Sequence, residues 1–371
     1  VPESSTLRPS NFIYQPEDLV RHFVVHGDDE KALYDIIFEH LHDPLTQNRN
    51  DLPWWEFLVI ENKDWSGRSA CVFRIHHCLA DGMSVVHLFE QILTDKDGSP
   101  VQSLTSSHMD DRKKKRKTHR GNPVSLCLSF LSAVSEAVTM PLRPHDDVVF
   151  FNQKQPRVHS GRRKYLLFPT IPLSFVKELK NAAGVTVNDV LMTATSQAIH
   201  DYCVQHKCPT LFETTGICSC ATSNGENHEH CGGDEKRTPK KLQFRAMLPV
   251  ALPRKYGDEH SQALRNHWCF VSADLALGYD NPIDRLHHIH DKMRAMKETP
   301  KAYAQHLVQN KIGPMVPLSI WRNTVQDVFC RHSLIFSDVP GPVDPCWFSG
   351  ESIQSVQTFC SSLMPQIQLL R

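Results

Sequence analysis

The stretch His76-His77-Cys78-Leu79-Ala80-Asp81-Gly82 constrains this chain more than any other. It ends one hydrophobic pattern and starts another. Upstream, Cys71, Phe73 and Ile75 alternate with Val72 and Arg74, the period-two pattern of a strand. Downstream, Val85, Val86, Phe89, Ile92 and Leu93 recur at helical spacing. The segment therefore reads as strand, tight turn and helix. Carrying the alternation forward places His77 on the apolar face and His76 on the other. A neutral imidazole at a strand end accepts a proton from a hydroxyl or thiol near neutral pH. Asp81 is expected to fix the loop through an ion pair or by capping the helix at Ser84. Gly82 is expected to supply a backbone shape that a Cβ would resist. The plainer reading of an isolated histidine pair is two buried side chains satisfied by hydrogen bonds. A metal site fits less well, because adjacent strand residues face opposite ways and no HExxH-type partner lies nearby.

The rest of the chain alternates strand and helix patterns. Ala32 to Leu41 has helical spacing; Phe57–Ile60 and Ala70–His77 read as strands. Thr94 to His119 is a polar surface linker carrying the run Arg112-Lys113-Lys114-Lys115-Arg116-Lys117. That run reads as a solvated loop, with attraction to anionic lipid headgroups or a nucleic-acid patch as alternatives. The lack of interleaved aromatics makes nucleic acid the weakest of these. Val124 to Leu142 is broken by Ser125, Ser129, Ser132, Ser135 and Glu136, so it reads as an amphipathic helix rather than a membrane span.

Past Gly161, Lys164–Phe168 reads as a strand and Leu173–Ala183 as a helix. Thr186-Val187-Asn188-Asp189 fits a capping box, with Thr186 as N-cap and Asp189 three residues on. Asn188 then falls in the first helical turn, where free N–H groups and a side-chain amide face a developing anion. On spacing alone, Asp189 is a cap and Asn188 a polar first-turn residue. Phe244–Val250, Trp268–Leu275 and Ser333–Phe336 read as strands, and Pro282–Met296 as a helix; its His287 and His290 are spaced to share a face, and a solvated surface is the simpler reading. Cys218, Cys220, His228, His230 and Cys231 crowd one Gly- and Asn-rich loop. Zinc is chemically compatible with it, but the spacing matches no common finger, and an unstructured insertion is the simpler reading.

With these residues in view, HHCLADG resembles the HHxxxDG pattern of CoA-dependent acyltransferases. The chain is similar to the wax ester synthase/acyl-CoA:diacylglycerol acyltransferase family in four further segments, in the family's order. Leu52-Pro53-Trp54-Trp55-Glu56-Phe57 resembles its Pro-Leu-Trp-Glu segment. Gly184 to Val190 resembles its Asn-Asp-Val/Ile motif. Leu248-Pro249-Val250 resembles its Val-Pro-Val strand, and Ser337-Asp338-Val339-Pro340-Gly341-Pro342 its Ser-Asn-Val-Pro-Gly-Pro turn. Asp338 departs from the usual Asn, Arg265-Asn266 from the usual Gly-Asn, and Cys218 to Arg237 is an insertion.

The resemblance implies an α/β, two-lobed CoA-dependent acyltransferase fold of the chloramphenicol acetyltransferase kind. Its lobes would meet at a tunnel, with the His77 loop at the interface. Residues 1–110 would form the N-terminal lobe, 111–160 a basic linker and crossover helix, and 161–371 a C-terminal lobe. The chain starts at Val1 without a Met and stops soon after the Pro-Gly-Pro turn, so a fragment truncated at both ends is expected. The implied activity is O-acyl transfer from acyl-CoA, a substrate and not a cofactor, to a long-chain alcohol or a diacylglycerol. That would make wax esters or triacylglycerol. His77 would be the general base, with His76 supporting it and Asp81 and Gly82 shaping the loop. Asn188 would assist at the oxyanion, with Asp189, Pro53 and Trp55 binding substrate. No metal or cofactor is implied. The expected location is a membrane surface, endoplasmic reticulum or lipid droplet, with the site open to the cytosol. Two competitors are an inactive acyl-CoA- or lipid-binding remnant and a zinc-stabilised interaction protein built on Cys218–Cys231.

Composition agrees with a globular chain. Its 371 residues are 40% hydrophobic, with a net charge of +0, so no global pull toward nucleic acid follows. The 22 histidines are unusual in number, yet most are expected to carry no chemistry. Twelve scattered cysteines suit free thiols in a reducing setting better than a disulfide framework.

Overall fold

The computed structural model describes residues 15–27, 29–41, 43–48, 51–64, 68–101, 123–147, 165–166, 168–206, 208, 243–252, 264–339, 341–342, 344–359 and 367–370. The chain is of mixed α/β class and divides into two compact units. These are Val1–Ile92 with Tyr256–Asn266, and Leu93–Lys255 with His267–Arg371. The basic run 112–117, Gly161 to Arg163 and the Cys218–Cys231 cluster lie outside the described residues.

The first unit is a three-stranded sheet with a helix on each face. Strand β1 (Val20–Val25) leads to helix α1 (Glu30–His40), β2 (Trp55–Asn62), β3 (Ser69–Ile75) and α2 (Gly82–Ile92). β2 is central, parallel to β1 and antiparallel to β3. Leu33 and Ile37 of α1 pack with Val25 and Ile60, joined by Ala70 and Val72. On the opposite face Phe57 and Phe73 are paired across the strands with ring centroids 5.0 Å apart, and Phe89 of α2 meets Phe73 edge-on at 6.0 Å. Both faces of the sheet are therefore apolar. The face carrying Val72 and Arg74 is covered by α1, and Arg74 is buried against Glu56. A buried charge is tolerated there because it is paired.

The second unit surrounds a sheet of order β5-β4-β6-β9. Helices α3 (Pro123–Val138), α4 (Leu173–Ala183) and α5 (Val187–Gln205) precede β4 (Arg245–Ala251) and β5 (Trp268–Asp274). After them come α6 (Pro282–Glu298), α7 (Lys301–Leu307), α8 (Leu318–Cys330), β6 (Leu334–Ser337), the short pair β7 (Trp347–Phe348) and β8 (Glu351–Ser352), and β9 (Ile367–Leu370). β4 runs antiparallel to β5 and parallel to β6, which is parallel to β9. Residues Arg245 to Leu248 are all buried, as a strand covered on both faces should be. Ala246 and Leu248 pack with Met192 of α5 and Ile289 and Met293 of α6; Met247 faces Val328 of α8.

Three expectations about elements are corrected. β3 ends at Ile75 rather than His77, because the His76 N–H donates to the Trp54 carbonyl and the chain then turns, Leu79 N–H donating to His76 C=O. The described residues Tyr165, Leu166 and Phe168 form no strand. Gly82 is the first residue of α2, in helical conformation and outside the left-handed region. The left-handed glycine that matters is Gly184, with φ of 67°, which ends α4 two residues before the next cap at Thr186.

Candidate active site

Within the first unit, the turn after β3 is held by short-range and long-range bonds. The His76 Nδ1 accepts from the Cys78 N–H at 3.1 Å, so this ring closes its own turn. Trp54 lies against His76 with ring centroids 5.1 Å apart. Asp81 is buried, and its Oδ1 accepts from the Ser84 N–H at 2.9 Å, an N-cap on α2. The Asp81 N–H donates to the Arg265 carbonyl at 3.0 Å. Ser84, fully buried, donates its hydroxyl to the same carbonyl at 2.7 Å and accepts from the Arg265 N–H at 3.0 Å. Asn266 donates from Nδ2 to the His77 carbonyl at 2.5 Å.

His77 itself is exposed on this turn. That corrects its expected place on the apolar face: the parity argument lapses where the strand stops. Exposure suits a side chain that must meet a substrate. Pro53 and Trp55 line an apolar cavity of about 570 Å³ together with Leu52, Trp54, Leu79 and Leu264. Leu79 belongs to the histidine turn, and Trp54 contacts His76, so the cavity adjoins the motif. Trp54 and Leu264 were not singled out by sequence. Trp54 sits inside the aromatic pair beside Pro53 and was visible there; Leu264 had no local signal.

Asn188 and Asp189 belong to the second unit. Asn188 is half-buried in the first turn of α5. Asp189 is fully buried; its Oδ2 accepts from the Thr186 N–H at 2.8 Å and the Asp189 N–H donates to Thr186 Oγ at 3.3 Å, the capping box expected. The structure adds His290, whose Nδ1 lies 2.8 Å from Asp189 Oδ2. His290 therefore is not simply solvated, which corrects the solvated-surface reading. Burial pushes the Asp189 carboxyl up, but the hydrogen bonds from His290 and Thr186 outweigh it and hold the pKa below the ordinary value. Asp189 and His290 border a smaller cavity of about 190 Å³ with Thr186, Arg294, Lys297 and Glu298. Asp189 acts there as a cap and a helix-to-helix link, and direct contact with substrate is not required to account for it. Among the described residues, no group of three or more His, Cys, Asp or Glu side chains is arranged to hold a metal.

The chain belongs to the wax ester synthase/diacylglycerol acyltransferase family. Its residues 20–191 match the family's catalytic domain and residues 265–370 its C-terminal domain. A protein of Mycobacterium tuberculosis named as a probable diacylglycerol O-acyltransferase is 25% identical over 321 residues, covering 80% of this chain and 60% of the relative. Wax ester synthase/diacylglycerol acyltransferase 10 of Arabidopsis thaliana is 24% identical over 357 residues, covering 89% of this chain and 68% of its own length. The solved wax ester synthase/diacylglycerol acyltransferase of Marinobacter aquaeolei aligns with a TM-score of 0.47 at 18% identity, over 92% of this chain and 67% of that one. The chain thus spans about three-fifths of the length of the mycobacterial relative.

Proposed function

We propose that this chain transfers a fatty acyl group from acyl-CoA to the hydroxyl of a long-chain alcohol or a diacylglycerol, with His77 as general base. The observation that carries this reading is an exposed imidazole on a rigidly bonded turn, beside an apolar cavity. The cavity volume, about 570 Å³, falls within the range of roughly 300–1,000 Å³ typical of small-molecule sites. Its lining of leucine, proline and tryptophan suits a hydrocarbon chain. In this reading His77 takes the hydroxyl proton as that oxygen attacks the thioester carbonyl. The tetrahedral oxyanion collapses, the C–S bond breaks, and the imidazolium protonates the departing CoA thiolate. The products are an ester and free CoA, and His77 is regenerated. No acyl-enzyme is needed.

The test is incubation of the chain with labelled acyl-CoA and a panel of long-chain alcohols and diacylglycerols. Labelled ester with at least one acceptor is expected. Thermal stabilisation by acyl-CoA with no ester from any acceptor would replace this reading with that of a lipid-binding remnant.

The location rests on α3. Val124, Leu128, Leu131 and Val138 form an exposed apolar stripe at helical spacing, while Ala133 and Ala137 pack inward. Among the described residues no helix is long and apolar enough to cross a membrane. A stripe of this kind suits lying in the plane of a bilayer surface, and the basic run at 112–117 precedes it in sequence. Sedimentation with anionic vesicles is expected to carry the protein down, and Leu128→Ser with Leu131→Ser to leave most of it in solution. Equal sedimentation of both would remove α3 from this role.

A further inference from the structure

We propose that Asn266 is a positioning residue for the His77 turn, and that it does this with its carboxamide donor. This rests on the reading of His77 as the base and names what holds that base in place.

The His77 turn is bonded from outside by residues 265 and 266. The neighbours of His77 are each tied down: His76 by its own ring to Cys78 N–H, Asp81 and Ser84 by the Arg265 backbone. Asn266 adds a long-range tether, Nδ2 to the His77 carbonyl at 2.5 Å, from a point 189 residues away in sequence. Residues 265 and 266 work as a clamp. Arg265 bonds both sides of its peptide to the start of α2, which fixes where the Asn266 side chain begins. Asn266 then reaches one step further along the turn to the histidine.

The orientation of the amide is informative. Its Oδ1 is buried and has no hydrogen-bond partner among the described residues. Leaving a buried acceptor unpaired is unfavourable. Rotating the amide by half a turn would not repair this, because it would set Oδ1 against the His77 carbonyl oxygen. The side chain is therefore held by what Nδ2 binds. An Asp at this position keeps the shape but has no proton to donate, and it would bring a negative charge to the histidine turn.

The effect expected is on turnover rather than binding. A base displaced by a fraction of an ångström loses alignment with the hydroxyl proton, and small misplacements are expensive in rate. Asn266→Ala is expected to lower kcat by about 10- to 100-fold with KM for acyl-CoA changed less than about 3-fold. Asn266→Asp is expected to lower kcat similarly and to move the acid limb of kcat/KM to higher pH. The added carboxylate favours the imidazolium, and that limb reports the base of the free enzyme. Ser84→Ala, which loosens the same clamp from its other side, is expected to reduce kcat in the same direction. All variants are to be compared with the His77→Ala protein and by thermal melting.

A wild-type kcat in Asn266→Ala would overturn the proposal. So would a loss of rate that only follows the loss of folded protein, or an acid limb unmoved by Asn266→Asp. These outcomes are separable from failure of the base itself. If His77→Ala turns over normally, the base reading falls; if His77→Ala is inactive while Asn266→Ala is normal, only the positioning role falls.

Discussion

His77→Ala is expected to lower acyl transfer by about 10²- to 10⁴-fold, the contribution of a well-placed general base. The loss should appear in kcat and kcat/KM together, because proton removal belongs to the transition state and not to binding. Folding should be little affected: the side chain is exposed, and the bond from Asn266 goes to the backbone carbonyl, which alanine keeps. His76→Ala is the informative companion. That ring accepts the Cys78 N–H and lies on Trp54, so its removal loosens the turn without removing the base, and a smaller loss is expected. Steady-state rates with labelled acyl-CoA and one alcohol, beside far-ultraviolet circular dichroism of each variant, decide the matter. A His77→Ala protein within about threefold of the parent rate would end the general-base assignment.

The part of this site that sequence revealed is the part built from neighbours in the chain. The change from period two at Phe73 and Ile75 to helical period after Gly82 located strand, turn and helix. The capping box at Thr186 and Asp189 was readable because both partners lie within one helical turn. The cap from Asp81 to Ser84 was readable for the same reason. Alternation failed at His77 because it is a property of paired strands, and pairing stops one residue earlier, where His76 takes its last strand-like bond to Trp54. The bonds of Asn266 and His290 were not legible because their partners, His77 and Asp189, lie 189 and 101 residues away. No local period marks such a residue. His290 also sits on a helix whose exposed face is polar, so a solvated histidine was the natural expectation. Gly82 invited a strained turn that the structure makes unnecessary, since a glycine is equally at home as the first residue of a helix capped by Asp81.

Glu56→Ala is expected to destabilise the first unit by about 3–5 kcal/mol, the scale seen when one member of a buried ion pair is removed. Glu56 and Arg74 face each other across β2 and β3 and are hydrogen-bonded, with side chains 2% and 7% exposed. Arg21 lies 3.7 Å from the same carboxylate, and the Thr46 N–H donates to it at 3.1 Å. Deleting Glu56 therefore takes from Arg74 its directly bonded carboxylate and leaves Arg21 with Asp43 alone, 2.9 Å away. Burial already pulls the Arg74 pKa down, and Glu56 is the charge that opposes this most. Arg74→Ala should cost less, toward the lower end of the range, because Arg21 and Thr46 still attend the carboxylate. Arg74 also donates to the Asp43 carbonyl, so part of its loss is a backbone acceptor left in a partly closed site. Replacing both residues by apolar ones of similar size, Glu56→Leu with Arg74→Met, should recover much of the stability, since no charge is then stranded. Urea denaturation of the three variants tests the order Glu56→Ala, Arg74→Ala, double variant, from least to most stable. The reverse order for the two single variants would show that Arg21 does not share the carboxylate. The consequence reaches the turn as well. Arg74 stands two residues before His76 on the strand whose register this pair helps to set. A strand that slips by one residue would move every side chain to the opposite face and carry the histidine turn with it, so the single variants should lose acyl transfer beyond what their folded fraction explains, and the double variant should regain it.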